Sequence, residues 1–234
     1  MQPRSETYLL ADGTGRIEVR GDYAASGLFL DGKPFVFNFA DCAGSIGQDL
    51  YHFAPFVDGD KNRLAGLTEI TTDLPLGGTC LSQLILPLLR QFPPGVYTLT
   101  IAPLAPGETW VEYYLEDYVL NWSYVESGYY PESDGVYGGK TLVATQPDGS
   151  LDDVRIAHYW YAIEDGARPF AITASTEGAM AEFVLDGHHK LQAYAYAKVK
   201  PWRLCISKAS SPLAADEWPA SDAAPRAWRL IHGH

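Results

Sequence analysis

The densest run of residues able to do chemistry is aromatic and acidic: Trp110-Val-Glu-Tyr-Tyr-Leu-Glu-Asp-Tyr-Val-Leu-Asn-Trp-Ser-Tyr124. Extended, it would present Trp110, Glu112, Tyr114, Glu116, Tyr118, Trp122 and Tyr124 on one face. Rings stack on sugar faces, and carboxylates accept from sugar hydroxyls. The same surface could anchor a protein partner through rigid Trp and Tyr contacts. It could also pair with Tyr194 and Tyr196 as plain core. The sequence leaves these three readings open.

An acidic loop offers a second chemistry. Counting from Asp58, hard oxygens fall at Asp58, Asp60 and Asn62, with Glu69 at the twelfth position. That is the spacing of a calcium loop, so calcium is the cofactor this loop would take. Arg63 stands where the sharp turn needs glycine, and flanking helices are not evident. No other cofactor is expected.

Catalytic signatures are sparse. Glu112 with Glu116, and Asp152 with Asp153, are carboxylate pairs on single elements, whereas glycoside hydrolysis needs two carboxyls across a cleft. His158 sits in an apolar run, and His188-His189 follows an Asp-Gly pair. His232 and His234 close the chain. The sequence has no HExxH motif, nucleophile elbow, Walker loop or GxGxxG. Cys42, Cys80 and Cys205 are widely spaced, without a CxxC pair, and read as buried small hydrophobes.

These groups need a scaffold, and the turn chemistry indicates its type. Asp-Gly occurs at 12–13, 31–32, 58–59, 134–135, 148–149, 165–166 and 186–187. That pair tolerates the positive φ of tight hairpins. Several of these pairs sit between runs that read as strands, most clearly in Gly27–Phe39 around Asp31-Gly32, and further strands read as Ile17–Arg20, Leu67–Thr72, Val96–Ile101, Thr141–Thr145, Val154–Ile163, Phe170–Ser175, Ala181–Leu185, Leu191–Lys200 and Trp202–Ser207. In Leu191–Lys200, Leu191, Ala193, Ala195, Ala197 and Val199 alternate with polar residues at period two. Short-spaced turn signals predict antiparallel sheets with little helix.

Two segments are ambiguous. Thr79–Phe92 carries a helical apolar stripe interrupted by Pro87. Thr109–Val125 has a Thr109-x-x-Glu112 capping box, but its β-branched and aromatic content favours a strand.

The expected fold is therefore mostly β, as antiparallel β-sandwiches. Residues 1–125 would form a jelly-roll-like part, and residues 126–207 an immunoglobulin-like part. Residues 208–234 would form an extended arm, ending in an apolar stretch with Trp228 able to dock. A single larger sandwich competes with this division. Leu81-Ser-Gln followed by Gly95-Val-Tyr-Thr-Leu-Thr100 is similar to a phrase of carbohydrate-binding jelly rolls. The resemblance covers about twenty residues and implies fold more than function.

Charge narrows the partners. The chain has 234 residues and a formal net charge of -12, which repels phosphate backbones and anionic lipid. The expectation is a non-catalytic binding or assembly protein acting through protein partners or self-assembly. A virion or tail component is its concrete form. A carbohydrate-binding module, or a lyase, isomerase or glycosidase on a sandwich scaffold, are the alternatives. The opening Met-Gln-Pro-Arg-Ser-Glu lacks an apolar run after its charge, so synthesis in the cytoplasm without a signal peptide is expected.

Overall fold

Asp31 and Gly32 show how local chemistry starts this fold. Both take positive φ, at 50° and 73°, and Leu30 pairs with Lys33 across them. That two-residue turn joins β3 (Ala25–Leu30) to β4 (Lys33–Asp41), as the Asp-Gly signal predicts. The computed structural model describes residues 2–22, 25–41, 48–53, 80–104, 110–111, 121–125, 141–145, 151–179, 181–211 and 213.

The protein is sheet-rich. Along the chain, β1 (Arg4–Leu10) and β2 (Ile17–Gly21) precede the hairpin, and β5 (Gln48–Phe53) follows it. Among the described residues, two short helices come next, α1 (Leu81–Leu84) and α2 (Leu86–Leu89), then β6 (Gly95–Pro103), β7 (Trp110–Val111), β8 (Asn121–Val125) and β9 (Thr141–Val143). The helix α3 (Asp153–Glu164) leads to β10 (Phe170–Thr176) and β11 (Ala181–Asp186). A second long helix, α4 (His188–Ala197), leads to β12 (Trp202–Lys208).

One sheet has the order β2-β3-β4-β5-β8 and is antiparallel throughout. The other has the order β1-β6-β12-β10-β11-β9-β7. It is mixed, because β10–β12, β9–β11 and β7–β9 pair in parallel. It takes strands from both sides of residue 126.

The main core draws on both sheets. Ile17, Val19, Leu28 and Leu30 cluster with Leu99, Ile101, Ile172, Phe183, Leu204 and Ile206. Each such side chain, fully buried, contributes about 1.5–3 kcal/mol of hydrophobic stabilisation. The 81–92 segment closes one side of it through Leu81, Ile85, Leu88, Leu89 and Phe92. Pro87 does break that stripe. The helix stops at Leu84 and restarts at Leu86, with Pro87 in the first turn, where no N–H is needed. At α1, Leu81 N–H donates to Glu6 Oε2 at 2.6 Å, and the Ser82 hydroxyl donates to Glu6 Oε1.

Several expectations are corrected. The structure has more than little helix, and the C-terminal half is not purely antiparallel. Val154–Ile163 is helical rather than a strand. Asp152 caps it, accepting from Val154 N–H at 2.7 Å and Arg155 N–H at 3.3 Å. Its far end closes in a Schellman motif, with Gly166 N–H on Ile163 O and Ala167 N–H on Ala162 O. Gly166 supplies the positive φ of 95°. Leu191–Lys200 is also largely helical. Its Leu, Gln, Ala and Lys are strong helix formers, and this outweighs the period-two pattern. Ser82-Gln83 lies in α1, so that part of the jelly-roll phrase is not a strand, while Gly95–Thr100 lies in β6.

Helix α4 packs on the outer side of the mixed sheet, and α3 packs on α4. Leu191 of α4 meets Ala171 and Val184, and Ile156 and Ile163 of α3 meet Ala193 and Tyr194 of α4. Ser210 and Ser211, at the start of the expected arm, are tied to β2. Ser211 O accepts from Gly21 N–H at 2.7 Å, and the Ser210 hydroxyl donates to Gly21 O at 3.0 Å. Cys205 is buried as expected, whereas Cys80 is exposed.

Candidate interaction surfaces

The aromatic run is divided between the sheets. Trp110 lies on β7 and pairs with Leu142 in the mixed sheet. Trp122 and Tyr124 lie on β8 and pair with Tyr51 and Asp49 in the antiparallel sheet. Both ends are strands, as the β-branched and aromatic content implies, but they do not share one ladder. Glu112, Tyr114, Glu116, Tyr118 and Trp228 lie outside the described residues, as do Asp58, Asp60, Asn62 and Glu69 of the calcium-like loop. Among the described residues, no three His, Cys, Asp or Glu side chains gather in a way that could hold a metal ion.

Among the described titratable groups are two internal clusters that sequence reasoning did not foresee. The first crosses three strands of the mixed sheet. Arg203 on β12 donates from Nε to Glu182 Oε2 at 2.6 Å and from Nη2 to Oε1 at 3.0 Å. Thr173 on β10, between them, donates its hydroxyl to Glu182 Oε2 at 2.7 Å. The carboxylate is buried, and these three donors engage both its oxygens. It serves as a cross-strand clamp rather than a poised base.

The second cluster surrounds the junction of β11 and α4. Gly187 takes φ 105°, and a Cβ there would lie 2.8 Å from Ala171 Cα. The bare backbone lets α4 start directly above β10. His188 Nε2 accepts from Thr145 N–H at 3.0 Å, so this nitrogen carries no proton. Burial, followed by the charge of His189, lowers the His188 pKa to about 3. His189 Nε2 accepts from Asp152 N–H at 3.0 Å. Burial and then Arg155 lower its pKa, against the opposing pull of Asp152 and Asp186. Lys190 donates to Asp186 Oδ2 at 2.7 Å and lies 5.8 Å from the centre of the Tyr159 ring. The two histidines therefore tie α4 to residue 145 and to the start of α3.

The open surfaces differ in character. At the edge of the mixed sheet, Leu9 is 70% exposed and Val96 opposite it is 56% exposed. On α3, Val154 is 78% and Tyr161 63% exposed, with exposed His158 between them. A notch lined by Glu18, Phe92, Tyr97 and Lys208 has room for about one water molecule, far below the range of small-molecule sites. Tyr97 O–H there donates to Pro93 O at 2.6 Å, and burial raises its pKa.

Among the described residues, no helix is long and apolar enough to cross a membrane. Compared with protein-family models, curated proteins and solved structures, the chain matches none of them.

Proposed function

We propose that this chain is a binding protein that works by assembly, with β1 as its joining strand, and that it is non-catalytic. The observation that carries this reading is the edge position of β1 with its exposed apolar pair. Among the described residues, β1 pairs only with β6, leaving one row of backbone groups unpaired. Such an edge is a template for another strand unless charge, proline or a covering element guards it. Of the charges on β1, Glu6 is turned to cap α1, and exposed Arg4 stands at the opposite end of the strand from Leu9. Leu9 and Val96 add apolar area beside the open ladder. A core drawn from both sheets supports a β-sandwich of jelly-roll type for the first part of the chain. The helices and parallel strands leave the immunoglobulin-like reading of 126–207 without support. A virion or similar particle is the concrete form of assembly we favour.

The test is the mass of the full chain in solution. Sedimentation should show a multimer, and Leu9→Lys should shift it towards monomer with an unchanged circular dichroism spectrum. Because each copy carries -12, added salt should strengthen the assembly. A chain that stays monomeric at high concentration and high salt would overturn the proposal.

A further inference from the structure

The outer face of α3 is a second surface, on a different element from β1. Val154, His158 and Tyr161 stand at i, i+4 and i+7, one stripe of a helix, and all three are exposed. The opposite stripe, Ile156 and Ile163, packs on α4. The helix therefore has two usable faces, and only the inner one is occupied by a described element. The Trp160 and Tyr161 rings lie 4.9 Å apart, which gives the outer stripe a firm aromatic end.

The charges around the stripe indicate what fits it. Asp153, Glu164 and Asp165 are exposed and near its ends, with Arg155 as the exposed base on this helix. We propose that the Val154–His158–Tyr161 face of α3 docks a basic amphipathic helix of a partner protein, its apolar stripe on Tyr161 and Val154 and its Lys or Arg residues on Asp153, Glu164 and Asp165. Side chains at i, i+4 and i+7 form a stripe of the kind that an amphipathic partner helix packs along. An anionic bilayer is disfavoured, since interfacial helices flank their apolar face with Lys and Arg, the reverse of this arrangement. A second copy is disfavoured because it would bring the same acids to the seam.

The probe is a short synthetic helix with Leu on one face and Lys on the other, titrated against the full chain by calorimetry. The control has the same composition in scrambled order, without an apolar face. The ordered helix should bind, and Tyr161→Ser or Asp153→Lys with Glu164→Lys should each weaken it about tenfold or more, a loss of about 1.4 kcal/mol. These positions are exposed, so the variants should keep the wild-type circular dichroism spectrum. Failure of the ordered helix to bind overturns the proposal. So does equal binding by the scrambled peptide, or binding that both variants leave intact.

Discussion

Arg203 on β12 reaches across β10 to hold the Glu182 carboxylate of β11 at two points, with the Glu182 side chain 2% exposed and that of Arg203 12%. The pair spans three adjacent strands, so its loss should register in the whole sheet. Arg203→Ala would remove a counter-charge and two hydrogen bonds from a buried carboxylate and should cost about 3–5 kcal/mol in chemical denaturation. Glu182→Leu combined with Arg203→Met should recover much of that, since no charge is left stranded. A cost below about 1 kcal/mol for Arg203→Ala would place the pair with ordinary surface contacts.

Acid should weaken the junction of β11 and α4. His188 is held at about 3 in the folded chain, while an exposed histidine titrates near about 6.5. Between those values the unfolded chain binds the extra proton. Stability from this residue is complete above about pH 6.5 and declines towards pH 3 by about 1.4 kcal/mol per unit. His189, also lowered, adds to the same trend. His188→Gln should flatten the decline over that window, as read from denaturation midpoints at stepped pH. Parallel wild-type and variant curves would contradict the assignment.

Two glycines with positive φ should respond differently to alanine. Gly187→Ala sets a methyl 2.8 Å from Ala171 Cα and strains the backbone, costing about 2–5 kcal/mol. At Gly166 no described atom lies within 4 Å of the added carbon, so only the backbone term applies, about 1–2 kcal/mol. Thermal unfolding should rank the variants in that order.

Tyr194 is buried between the long helices, and its hydroxyl has no hydrogen-bond partner among the described residues. Burial raises its pKa, with Arg168 opposing. An unsatisfied buried hydroxyl costs about 1–3 kcal/mol, so Tyr194→Phe should raise the unfolding midpoint. A fall in stability would mean that the hydroxyl makes a bond the geometry does not show.

The β-rich character and most described strands were legible because their signals are local. Asp31-Gly32 is a hairpin turn, and Ile17–Arg20 and Val96–Ile101 lie within strands. The same dipeptide misled elsewhere, because positive φ serves more than hairpins. At Asp165-Gly166 it ends a helix, and at Asp186-Gly187 it starts one. Asp152 carried a readable capping signal for α3, overshadowed by the β-branched and aromatic residues that follow. Strand order is non-local, so neither the Glu182–Arg203 contact nor the division of Trp110 from Trp122 could be read from spacing. The exposed stripe of α3 could have been found once Val154–Ile163 was taken at period 3.6.

The placement of β12 bears on how this chain is made. Residues 202–208 slot between β6 and β10, while β6 also holds β1 from the start of the chain. On the ribosome, β6 and β10 must therefore wait with unsatisfied borders until residues 202–208 have been translated. Such late closure makes folding slow and leaves apolar strands open to neighbours in the meantime. Synthesis rate and chaperone supply, more than final stability, should govern how much of this protein a cell recovers intact.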